Sequence, residues 1–146
     1  MPDPLFASRR PWSGGPPATA QLLGARLSSV GRGFATVAMD LGPLYWTEDK
    51  QVAVGIYTLL GELSMHAALA EHCADLPGTS PMLVQLATTV CNQTDGLWME
   101  AFARVDKVDG DRARVHCSIR RSNGEFAVIQ AEWVFAAAFP VAAAGS

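Results

Sequence analysis

Val52 to Ala70 reads VAVGIYTLLGELSMHAALA, and this stretch decides the architecture. It contains one fully charged side chain, Glu62, and is long enough for about five helical turns. A membrane crossing asks for roughly 20 consecutive apolar residues. Here a carboxylate stands at the centre, flanked by Gly61, Ser64 and His66, and no second span exists to pair with it. The stretch therefore reads as a helix inside a soluble protein, buried on nearly all sides. Such helices occur where a sheet wraps around them.

The sequence downstream supplies that sheet. MLVQLATTVC (82–91), LWMEAFARVDKV (97–108), DRARVHCSIRR (111–121) and EFAVIQAEWVFAAAF (125–139) are strand-like runs separated by QTDG, Asp109-Gly110 and Ser122-Asn123-Gly124. Asp-Gly and Asn-Gly pairs favour tight hairpins, so the four runs are expected to form an antiparallel meander. Alternation identifies the dry face: Ala113, Val115, Cys117 and Ile119 in the third run, and Ala127, Ile129, Ala131, Trp133 and Phe135 in the fourth. Upstream, ATAQLLGARL (18–27) reads as a short helix with Leu22, Leu23 and Leu27 inward. Gly31 and Gly33 break it before a β-type segment at Phe34–Met39. Residues 1–17 hold five of the nine prolines and read as a loose arm, 18–139 as one domain, and 140–146 as an Ala-rich tail. The fold class is α+β, a long central helix laid across the apolar face of a curved antiparallel sheet.

Composition narrows the function classes. The chain has 146 residues, a size at which one core suffices. Its 11 basic and 14 acidic side chains give a net charge of −3, the wrong balance for a phosphate-neutralising nucleic-acid face. Neither nucleic acid nor a membrane is expected as a partner. Cys73, Cys91 and Cys117 are odd in number and form no C-x-x-C pair. They read as reduced, mostly buried thiols of a cytoplasmic protein, and the N-terminus shows no signal-peptide apolar region.

Glu62 is the residue with chemistry to explain. A carboxylate in an apolar helix is costly unless it is paired, protonated or facing a cavity with a task. A hydrogen-bonded core Glu, or one at a subunit interface beside a basic group, is the structural alternative. Helical spacing sets Gly55, Thr58, Glu62, His66 and Leu69 on one face, so a polar stripe runs down an oily helix. The helix N-terminus adds free backbone N–H groups and the positive end of the dipole, a site suited to polarising a carbonyl. A metal set of Glu62, His66, His72 and Cys73 is disfavoured, because His72 lies about 80° off the direction of Glu62. No metal or other cofactor is expected, and Cys73 reads as structural.

Taken together, the entry LLGARLSSVGRGFATVAMDL, the central GIYTLLGEL and the strand series with its RSNGE turn resemble the hotdog-fold thioesterases, specifically the PaaI-like branch, over about residues 18–138. In that family the helix opens on His-Gly-Gly, with an acid seven residues after the second glycine. Here Ala53, Val54 and Gly55 occupy the motif, so the second glycine and the acid, Glu62, are kept while the histidine and first glycine are not. The loop asparagine or glutamine of the family corresponds by spacing to Thr47.

The resemblance implies hydrolysis of an acyl-CoA or acyl carrier protein thioester by a homodimer or tetramer, with the polar helix face meeting the partner subunit. On this reading the amide of Val54 or Gly55 holds the thioester oxygen. Glu62 acts as general base or as nucleophile, with His66 orienting it. Thr58 lines the pocket with Thr47, and Trp46 in the preceding loop is placed to stack on an aromatic acyl group. Trp98 and Trp133 read as core or interface fillers. Arg120 and Arg121, beside the Ser-Asn-Gly turn, are the candidates for CoA phosphates among otherwise solvated charges. Two other readings stay open: a hotdog protein that binds acyl-CoA or another apolar ligand without hydrolysing it, and a cone-shaped small-ligand binder or isomerase.

Overall fold

The computed structural model describes residues 11–12, 15–42, 45, 47, 51–91, 96–122 and 124–137, the side chains of 74 and 75 excepted. The expectations for Trp46, for Asn123, for residues 1–10 of the arm and for the tail at 140–146 lie outside the described residues. In chain order the elements are α1 (Ala18–Leu23), β1 (Arg26–Gly31), β2 (Phe34–Asp40), α2 (Val54–Leu69) with a 3₁₀ extension over Ala70–Asp75, β3 (Thr79–Val90), β4 (Trp98–Asp109), β5 (Arg112–Arg121) and β6 (Gly124–Ala137). The six strands form one antiparallel sheet in the order β1-β2-β4-β5-β6-β3, and α2 packs chiefly on β4 and β2.

The inner faces of the strands explain how the helix fits. Ala35, Val37 and Met39 on β2, and Met99, Ala101 and Ala103 on β4, are fully buried. Small side chains here allow close approach of a helix whose own sheet-facing positions include Gly61, Ser64, Ala67 and Ala68. At Gly61 a Cβ would stand 2.5 Å from Ile129 Cδ1, so only glycine fits at this depth without displacing the core. Three residues on, the fully buried Ser64 points its hydroxyl at the carbonyl oxygens of Ala35 and Ala101, each 2.8 Å away. Its single proton is shared between one strand and its neighbour. The inward sets expected in the last two strands, from Ala113 to Ile119 and from Ala127 to Phe135, are buried as alternation requires.

Several expectations are corrected. The first helix stops at Leu23 rather than continuing to Leu27, because Gly24 adopts φ 68° and closes the end. Ala25 N–H donates to Ala20 O at 2.8 Å and Gly24 N–H to Gln21 O at 3.2 Å, the paired bonds of a Schellman cap. Arg26–Gly31 is therefore strand, two strands rather than one precede the long helix, and Leu22 is 80% exposed. The four later strands are not a simple meander. β4, β5 and β6 follow one another, but β3 pairs with β6, from Thr79 opposite Ala137 to Val90 opposite Ala127. Among β3 to β6 the turns at Gly110 and Gly124 join neighbouring strands, whereas the β3–β4 connection is a crossover, and turn residues do not distinguish the two.

The long helix is also less enclosed than its hydrophobicity suggests, since Val54, Gly55, Leu59 and His66 form an open side. Among the tryptophans, Trp133 is core but Trp98 is exposed, and of the cysteines only Cys117 is buried. Cys73 is half-buried and Cys91 lies at the surface.

Candidate active site

The segment before α2 is held by its own ladder. Thr47 N–H donates to Gln51 O at 2.7 Å, and the Thr47 hydroxyl accepts from Gln51 N–H at 3.2 Å. Ala53 N–H donates to Tyr45 O at 2.9 Å, and the Tyr45 hydroxyl reaches back to Leu23 O at 3.2 Å. These bonds aim the chain so that Ala53, extended at φ −60° and ψ 135°, starts the helix with no side-chain cap. Ile56 N–H turns back to Ala53 O at 2.9 Å. The amides of Val54 and Gly55, in the first turn, have no intrahelical acceptor. Val54 is 64% exposed, and beyond the helix's own turn no atom of the described residues lies within 4 Å of where a Gly55 Cβ would be, so this end of the helix is open among them.

Glu62 lies two turns further along the same face. Seven residues advance the helix about 10 Å and rotate it to within about 20° of the starting direction. Because helical side chains lean toward the N-terminus, the carboxylate points back toward the open amides. Glu62 is half-buried, and among the described residues no hydrogen bond or ion pair engages it. Thr58, half-buried, sits between Glu62 and the helix start. His66 continues the stripe, but its ring stands edge-on to Trp133 at 6.1 Å and no bond joins it to Glu62. Crowding around the imidazole lowers its pKa from the ordinary 6.5, although part of the residue faces outward, so the ring is neutral at pH 7.

The structure brings Val54, Gly55, Thr58, Glu62 and His66 onto one open stripe, with Thr47 in the loop that feeds it. Two arginines fall elsewhere. Arg121 is buried, donates from Nη2 to Gly96 O at 2.9 Å, and lies 5.7 Å over the Phe126 ring. Phe126 in turn meets Tyr57, in the first turn of α2, edge-on at 5.1 Å. The guanidinium thus braces the wall behind the helix N-terminus. Arg120 is exposed, opposite Glu100 on β4 and Glu125 on β6. Burial of Tyr57 pushes its phenol above the ordinary 10.0, which keeps it a neutral prop.

Sequence reasoning passed over Tyr57, Gly61, Ser64 and Phe126 as supports. Only Gly61 and Ser64 left a signal, as small or polar breaks in an apolar run. No three His, Cys, Asp or Glu side chains converge as metal ligands among the described residues, and no helix there is long and apolar enough to cross a membrane.

No protein-family model matches the chain, and no curated protein matches it by sequence. Solved structures do match. A conserved protein of Pseudomonas aeruginosa superposes with a TM-score of 0.74 at 17% identity, over 83% of this chain and 95% of that one. A thioesterase family protein of Silicibacter pomeroyi gives 0.76 at 14% identity, over 84% and 91%. The PaaI protein of the Escherichia coli phenylacetic acid degradation operon gives 0.72 at 15%, over 80% and 87%. The architecture is the hotdog fold of thioesterase-family structures.

Proposed function

We propose that this protein is an acyl thioesterase whose centre is the stripe from Val54 to Glu62, acting on an acyl-CoA or acyl carrier protein thioester. The observation that carries the reading is the pairing of an unengaged, half-buried carboxylate with two open amides on one helix face. The amide of Val54 or Gly55 donates to the thioester oxygen, and the negative charge that grows there is met by the positive end of the helix dipole. Glu62 takes a proton from water as the water oxygen bonds to the carbonyl carbon. The C–S bond then breaks, and the departing thiolate leaves with a proton as a free thiol beside the carboxylic acid. In the nucleophilic variant Glu62 itself forms the bond, and water hydrolyses the resulting anhydride. His66, neutral, closes the far end of the stripe, and Thr58 lines its middle.

The assembly we propose is a homodimer or tetramer. β3 is a 12-residue edge strand whose Met82, Val84 and Val90 are about half exposed, and on the helix Leu59 and Val54 are exposed as well. An open edge of this length is covered in a stable protein, and a second copy would cover it while walling the stripe. Cys73, Cys91 and Cys117 form no disulfide, which suits the cytoplasm.

The test is free-thiol release from short, medium, long and aromatic acyl-CoAs, wild type beside Glu62→Gln. A loss of roughly a hundredfold or more in the variant, the scale of a missing general base, supports the reading. Wild type that retains an ester and never turns it over would make the protein a binder. Full activity in the variant would remove Glu62 from the chemistry.

A further inference from the structure

A second cleft lies away from this stripe. It is an open cleft of about 740 Å³, bounded by the β1–β2 turn at Arg32 and Gly33, by Phe102 and residues 104–108 of β4, and by His72 in the 3₁₀ extension beyond α2. α2 is roughly 24 Å long, so the cleft stands at the opposite end of the helix from Val54 and Gly55. The volume falls within the range of small-molecule sites.

Its chemistry is of two kinds. Phe34 and Phe102 form a tilted ring pair, with centroids 6.4 Å apart, and Phe34 is 38% exposed although a Cβ at Gly31 would collide with its ring. An aromatic side chain held against glycine backbone while still open to solvent is a stacking surface. Beside it stand Arg104 and Lys107, both exposed, and neither is engaged by a carboxylate among the described residues. A bulge between Val105 and Lys107 lets consecutive residues of β4 line one cleft where a regular strand would alternate them. Arg32, which has a partner within the protein, adds a third cation, against Asp106 as the one acidic lining residue. This cationic excess occurs on a chain of net charge −3. At the inner end, His72 Nε2 is buried without a hydrogen-bond partner and lies 3.7 Å from where a Gly33 Cβ would be. A buried ring nitrogen left unsatisfied is rare in native proteins.

We propose that this cleft binds a planar aromatic group carrying a phosphate, the chemistry of a nucleotide. The ring stacks on Phe34 and Phe102, and the phosphate is held by Arg104 and Lys107. The assignment stands independently of the thioesterase reading, since it uses none of the same residues.

The experiment is calorimetric titration of the full-length protein with AMP, and with adenosine and inorganic phosphate as the two half-ligands. AMP is expected to bind at least tenfold more tightly than either half. Arg104→Ala combined with Lys107→Ala, both at exposed positions, is expected to weaken AMP roughly tenfold or more, as loss of charge-assisted contacts does. Displacement of AMP by CoA would identify the source as the nucleotide end of that carrier, and failure of CoA to compete would identify a free nucleotide; either supports the site. No saturable AMP binding, equal binding of phosphate alone, or an undiminished affinity in the Arg104 and Lys107 double variant would overturn the proposal.

Discussion

Ser64→Ala isolates the link between the central helix and the sheet. The hydroxyl is fully buried and stands 2.8 Å from two strand carbonyls, so its loss removes one net hydrogen bond, about 0.5–1.5 kcal/mol. It also leaves two buried acceptors less satisfied, for which about 1 kcal/mol more is reasonable. Alanine returns about 0.5 kcal/mol through its better helix propensity. The balance is a destabilisation of about 1–2 kcal/mol, a fall in Tm of roughly 3–8 °C for a domain of this size. Urea unfolding measures it as a lower midpoint at unchanged slope. Ser28→Ala is the matched control: Ser28 Oγ also donates to a strand carbonyl, Thr36 O at 3.2 Å, but from an exposed position on β1. Its cost is expected to stay within about 0.5 kcal/mol, as for other surface changes. If the two variants lose the same stability, or Ser64→Ala loses none, the hydroxyl does not pin the helix and the argument from its geometry fails.

Two further outcomes follow from the titrating groups. Burial pushes the Cys117 thiol up to about 12, whereas Cys91 is exposed, so an aromatic disulfide reagent should modify Cys91 in the native protein and reach Cys117 only on unfolding; rapid native labelling of Cys117, read by peptide mass, would contradict the packing of β5. The pKa of His66 is lowered below its ordinary 6.5 by desolvation, so below about pH 6.5 the unfolded chain takes up a proton that the folded one resists. The stability contributed by the neutral ring is complete above that pH and is lost as pH falls through the folded value. The difference in urea midpoint between about pH 7.5 and pH 5.5 should therefore shrink in His66→Gln, and an unchanged difference would place the acid sensitivity elsewhere.

The legible parts of the molecule were those written in local patterns. The period of two in residues 113–119 and 127–135 named the buried face of β5 and β6, and the run around Glu62 named the central helix with its stripe. What escaped was set by partners distant in sequence. Nothing near residues 79–90 says that they pair with β6 rather than β4. Leu22 looks like a core residue until Gly24 ends the helix before its face can turn inward. Thr47 lay in the expected loop, yet its hydroxyl is occupied by Gln51. Arg121 read as a surface cation because its charge is visible in the sequence, while Gly96 and Phe126, which hold it, come from another connection and another strand.

The placement of β3 beyond β6 also orders events during synthesis. β3 leaves the ribosome before any of the meander that will hold it, and at roughly 5–20 residues per second its partner residues on β6 follow only about two to twelve seconds later. For that interval its Met82, Leu83, Val84 and Leu86 have no sheet to join. On a polysome, where neighbouring chains expose the same segment side by side, the hydrogen-bonding edge that β6 should fill is equally available to another nascent β3. The yield of soluble protein is then governed less by final stability than by translation speed between residues 90 and 137, and slowing synthesis there should cost yield before it costs fold.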